Sequence, residues 1–107
     1  MHVQVVTFGL DGITEGEYHE SCRGETGAFA QLPGLLAKIW VKDEAANTFG
    51  AVYLWRDRGS YEDYIQGEIF RSIVEDPALS DVTSKDFEVY DDLTGATQPG
   101  LTLERSA

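Results

Sequence analysis

One cysteine, Cys22, leaves no partner for a disulfide within the chain, so the sequence reads as reduced and intracellular. The thiol reads first as a buried core group. A reactive thiol would need a cation or base beside it, and His19, three positions earlier, could share its helix face. Cationic side chains are also scarce. Eight Lys and Arg against nineteen Asp and Glu give a formal charge of −11. Nucleic acid and anionic membrane surfaces are bound by clustered Lys and Arg, so neither is an expected partner. The acidic excess serves solubility, and a cationic partner or a neutral apolar ligand stays open. There are two histidines, His2 and His19, far apart, and no Cys/His spacing suits zinc. The acidic residues form no calcium loop, so no metal is expected. A phosphate cradle, a dinucleotide fingerprint and a Gly-x-Ser-x-Gly elbow are all missing. No run is long and apolar enough to span a bilayer, and the first residues enter a strand-like stretch without an apolar leader. The expectation is a soluble, cytoplasmic protein.

What is present is an α+β pattern in one domain. The chain has 107 residues, too few for two cores, and divides into a domain over residues 1–93 and a tail over 94–107. Met1–Phe8 is rich in β-branched residues and suits an opening strand. Thr14 and Glu17 fit a capping box, which predicts a helix over about Glu15–Gln31 with Tyr18, Cys22 and Phe29 on one face. Gly24 and Gly27 either weaken that helix or permit close packing. Pro33–Gly34 then stops the chain, and two apolar runs, Leu35–Val41 and Phe49–Trp55, flank a short polar connector. They predict a hairpin. Asp57 or Ser60 caps a second helix whose stripe is Tyr61, Ile65, Ile69 and Ile73, ended at Asp76–Pro77. A last strand is expected over about Thr83–Tyr90, with the remainder a tail that is loose or draped over a partner subunit. The order β-α-β-β-α-β is the ferredoxin-like arrangement, a four-stranded antiparallel sheet with both helices on one face. Its other face stays apolar, which two sheets packed face to face in a homodimer would bury.

Aromatic residues are the main chemical resource. Trp40, Tyr53, Trp55, Tyr61 and Tyr64 gather around the hairpin and second helix, and Trp and Tyr bring an N–H or O–H to an apolar setting. They form the core, a pocket, or both. Trp55 at a strand end and Tyr61 in the next helix could flank a cavity between sheet and helices. Lys38 shares a strand face with Leu36 and Trp40 and is either a snorkelling or ion-paired lysine or a substrate contact.

Pro33–Gly34, Lys38-Ile39-Trp40, Gly50-Ala51-Val52-Tyr53-Leu54, Ser60 and Tyr64, with a weaker match over Ser84–Val89, resemble the YdhR-like monooxygenase family. That family is part of the dimeric α/β-barrel superfamily, and the likeness covers about residues 3–97. Its wider relatives are cofactor-independent antibiotic-biosynthesis monooxygenases, which oxidise aromatic polyketides with dioxygen. Their Asn-x3-Trp-x5-Tyr pattern falls here on Ala51, Trp55 and Tyr61, so the Asn is missing. Haem-degrading relatives use a histidine on the second helix, and this chain has none there. The resemblance implies a homodimer without cofactor, holding a planar aromatic or polyketide-like substrate. Trp55 and Tyr61 would be its catalytic pair, with Trp40, Lys38, Tyr53 and Tyr64 lining the pocket. A non-oxidative cyclase or isomerase on this scaffold, or a ligand-binding dimer without catalysis, are the alternatives.

Overall fold

A computed structural model describes residues 1–98. The elements are β1 (His2–Leu10), α1 (Glu15–Ala30), β2 (Leu35–Asp43), β3 (Thr48–Trp55), α2 (Arg58–Ile65), α3 (Glu68–Glu75), β4 (Leu79–Glu88) and α4 (Asp91–Ala96). The strands form one antiparallel sheet in the order β2-β3-β1-β4, the ferredoxin-like arrangement. Period-two alternation sorts the side chains. His2, Gln4, Val6 and Phe8 of β1 and Phe49, Ala51, Tyr53 and Trp55 of β3 are buried toward the helices. Val3 and Val5 lie opposite Leu54 and Val52 on the other face, which Ile39 and Phe87 extend across the sheet. Among the described residues no helix covers that face. Ile39 and Phe87 are each 54% exposed in the single chain.

Local chemistry fixes the joints. The α1 start is a complete capping box, with Thr14 N–H donating to Glu17 Oε1 at 2.8 Å and Glu17 N–H to Thr14 Oγ1 at 3.1 Å. Gly34 has φ +81°, and a Cβ there would strike the Ser60 side chain. Its carbonyl accepts the Arg56 N–H at 2.7 Å. The Pro33–Gly34 turn is thus seated against the start of α2, where Asp57 caps through Ser60 N–H at 2.8 Å. At the hairpin end, the Asn47 amide clamps both backbone groups of Leu10, accepting from the N–H at 3.2 Å and donating to the carbonyl at 3.1 Å.

Four expectations need correction. The stripe from Tyr61 to Ile73 is not one helix: it breaks at Gln66 and Gly67, which close α2 and open α3. A glycine without a capping side chain gives the first helix little reason to continue. The last strand starts earlier than expected, at Leu79, because the turn Asp76–Leu79 follows α3 directly (Leu79 N–H to Asp76 O, 3.0 Å). A register shift between Leu35 and Ala37 breaks the alternation ahead of Lys38, so Leu36 does not extend its face in step. Residues read as tail begin with α4, anchored where the amino terminus meets Asp91 Oδ1 at 2.9 Å. The tail beyond Gln98 lies outside the described residues.

Candidate active site

Between the sheet and helices α1 and α3 lies a cavity of about 170 Å³. Its floor is sheet: Val6, Phe8, Lys38, Trp40, Gly50, Ala51 and Tyr53. Its roof includes Tyr18, Cys22, Glu25 and Phe29 from α1, with Ser72, Ile73 and Asp76 closing the α3 side. Most of this wall is aromatic or aliphatic, the usual composition of a site for a small apolar ligand.

Lys38 is the one basic side chain among the described residues of that wall. Its Nζ lies 3.1 Å from the centroid of the Phe29 ring, 3.6 Å from that of Trp40 and 4.8 Å from that of Tyr53. Among the described residues no carboxylate forms an ion pair with it. Burial lowers its pKa to about 7, against weaker opposing effects of Cys22 and Glu25. The ring faces favour the ammonium form, so the amine is poised between the two states rather than locked in one. The other polar groups of the wall behave differently. Burial raises the pKa of Tyr18, Cys22 and Tyr53, so each keeps its proton at neutral pH. Tyr53 shares a hydrogen bond with Tyr64 OH at 3.0 Å, and burial pushes Tyr64 up to about 12.

The sequence-predicted residues fall into two groups. Lys38, Trp40 and Tyr53 line the cavity, and Tyr64 touches it through the Tyr53 hydroxyl. Trp55 and Tyr61 do not line it, although Trp55 borders a separate depression with Pro33, Ser60 and Tyr64. Trp55 is 1% exposed, stacks on Tyr53 with ring centroids 5.9 Å apart, and donates its indole N–H to Gln4 Oε1 at 3.1 Å. Tyr61 donates to Asp86 Oδ1 at 2.9 Å, while Asp86 Oδ2 meets His2 Nε2 at 2.6 Å. Gln4 Nε2 continues the chain of contacts to Ser84 Oγ at 3.0 Å. These hydrogen bonds hold the Asp86 carboxyl below the usual range, His2 contributing most. The predicted corner pair therefore sits in a polar cluster behind the cavity wall. His2, Gln4 and Asp86 were missed in the sequence, although His2 and Gln4 occupy the inward phase of β1 with Val6 and Phe8. Cys22, the only cysteine, is half-buried and lines the cavity.

The family model described as "Putative mono-oxygenase ydhR" matches residues 3–99. This chain belongs to that family. No curated protein matches the sequence. Several solved structures share the fold. A "putative antibiotic biosynthesis monooxygenase" from Deinococcus radiodurans is 14% identical with a TM-score of 0.68, over 83% of this chain and 92% of that one. A variant of SnoaB, a cofactor-independent oxygenase from Streptomyces nogalater, is 19% identical with a TM-score of 0.66 over 83% and 92%. The haem degrader MhuD from Mycobacterium tuberculosis, with two haems in its active site, is 17% identical with a TM-score of 0.65 over 84% and 96%. The motif that carries the family likeness now has a physical account. Pro33–Gly34 docks on Ser60, Lys38 and Trp40 face the cavity, and Gly50 brings β1 close, since a Cβ there would strike the Val6 carbonyl. Ala51, where the wider pattern has Asn, also lines the cavity but offers only a methyl group.

No histidine lines the cavity: His2 is engaged by Asp86, and His19 borders a separate depression beside Arg23 and Lys42. Among the described residues no group of three or more His, Cys, Asp and Glu is placed to hold a metal ion. No helix there is long and apolar enough to cross a membrane.

Proposed function

We propose that the protein is a cytoplasmic homodimeric monooxygenase that oxidises a small planar aromatic or polyketide-like substrate with dioxygen, using no metal, haem or flavin. The observation that carries this reading is the aromatic-walled cavity between sheet and helices in a member of a monooxygenase family. In such chemistry the substrate supplies the electrons. An acidic methylene between two aromatic rings, once deprotonated, reduces dioxygen. One oxygen atom enters as a ketone and the other leaves as water with the two methylene hydrogens, which balances four electrons on each side. The protein contributes exclusion of water, orientation and handling of protons. Trp40 and Tyr53 would pack against the ring system and Lys38 would meet its oxygen, with Tyr64 supporting Tyr53. Trp55 and Tyr61 would act one layer behind, fixing Tyr53 and the β1–α2 contact.

An oxygen electrode with a hydroxyanthrone tests this reading. The expected result is one dioxygen consumed per anthrone converted to anthraquinone, undiminished by chelator and without added flavin. A rearranged or cyclised product without oxygen uptake would instead establish the cyclase or isomerase. Binding without any conversion would leave a ligand-binding dimer.

A further inference from the structure

We propose that Lys38 is the proton-accepting group of this site: its neutral amine takes the proton of a bound phenol or enolisable ketone, and the resulting ammonium is held among the rings as the partner of the substrate anion. This deepens the monooxygenase reading and rests on it. The argument starts from geometry. The amine sits in the cavity wall, facing the space that a substrate would fill, and the Phe29 and Trp40 rings crowd it within 3.6 Å of their centroids. Ring faces stabilise a cation but offer no acceptor for a proton. The charge created by proton transfer is therefore accommodated, while among the described residues no carboxylate is ion-paired with the ammonium.

The remaining titratable groups facing the amine do not suit the task. From α1 come Tyr18, Cys22 and Glu25, from β3 Tyr53, from α2 Tyr64 through its bond to Tyr53, and from the end of α3 Asp76. Tyr18, Cys22, Tyr53 and Tyr64 retain their protons well above neutrality. Glu25 and Asp76 are exposed at the rim. A base works best when its pKa lies close to the working pH, and Lys38, at about 7, meets that condition. The transfer is balanced: the O–H or C–H bond breaks, the nitrogen lone pair takes the proton, and no net charge enters or leaves the cavity. The preferred ligand class follows. It is a neutral acid whose anion is delocalised over a planar ring system, rather than a ligand that arrives already charged.

The test uses the intact protein and a hydroxyanthraquinone dye that is neutral in free solution at about pH 8, one unit above the Lys38 pKa of about 7. Visible absorption reports whether the bound dye is neutral or anionic. Calorimetry in two buffers of different ionisation enthalpy counts the protons released on binding. The expected result is a bound anion with almost no proton released, because the proton stays on Lys38. With Lys38→Arg, which keeps the charge but cannot accept a proton, the bound anion should appear with about one proton released per site. Three results would overturn the proposal. A wild-type anion that releases a full proton means Lys38 was already charged. A dye bound neutral means no transfer occurs. Absence of binding removes the planar-aromatic pocket itself, and with it both readings.

Discussion

Lys38 and the Trp55–Tyr61 pair show how differently inward-facing polar groups can be held. Among the described residues Lys38 has no ion-pair partner, so burial works against its charge, and its stability signature is readable. The folded-state pKa of about 7 lies below the ordinary 10.5. The unfolded chain therefore binds the extra proton between those values, and folding stability rises with pH across that window. Lys38→Met should raise the denaturation midpoint most below about pH 7 and lose that advantage as pH approaches 10.5; a gain independent of pH would contradict the assignment. Trp55 and Tyr61 carry the opposite signature, because their polar atoms are satisfied. Tyr61→Phe removes one hydrogen bond to a carboxylate and should cost about 1–3 kcal/mol. Trp55→Phe also leaves the buried Gln4 carbonyl without its donor and shrinks a packed ring, so about 2–4 kcal/mol is expected in urea denaturation. Oxygen uptake per folded molecule should fall less for Tyr61→Phe than for any change at Lys38. This contrast was hidden in the sequence. Aromatic type and spacing mark a corner, but the partners that satisfy it, Gln4 and Asp86, come from strands 51 and 25 positions away.

Elements whose signals are local were legible. The capping box, the Pro-Gly stop and the apolar hairpin are each marked by residue types within a short stretch of sequence, and each forms where those residues stand. The break between α2 and α3 was not legible, because a four-position apolar stripe continues through Gly67 unchanged and only the packing of each half reveals the turn. The glycines of α1 posed an explicit choice between weakness and close packing. A Cβ at Gly24 or Gly27 would meet nothing within 4 Å among the described residues, so neither serves close packing there. Gly24→Ala and Gly27→Ala should each stabilise the protein by ~1 kcal/mol, visible as a higher thermal midpoint. Gly34 makes the contrasting control. Its left-handed backbone and the Ser60 side chain against it leave no room for a methyl group, so Gly34→Ala should destabilise and loosen α2. Equal effects at the three positions would mean that the α1 glycines are packed by something beyond this chain.

At the scale of the whole molecule, the bare face of the sheet and the charge of the chain pull in different directions. Val3, Val5, Ile39, Val41, Val52, Leu54 and Phe87 make a continuous apolar surface, with Lys85 the one charged side chain among their paired neighbours. A face of this kind in water favours self-association, and we expect a dimer of about twice 11.8 kDa by light scattering. Each copy brings a formal charge of −11, so two copies gather −22. That repulsion is long-range and screened by salt, whereas the apolar contact is short-range and little affected by it. Dimerisation should therefore tighten as ionic strength rises, the reverse of an association held by ion pairs. Ile39→Lys, placed in the face beside Val52, should shift the protein to monomer at low salt and leave the helix-side core untouched. A wild-type dimer that weakens with added salt would show that charged groups, and not this face, hold the copies together.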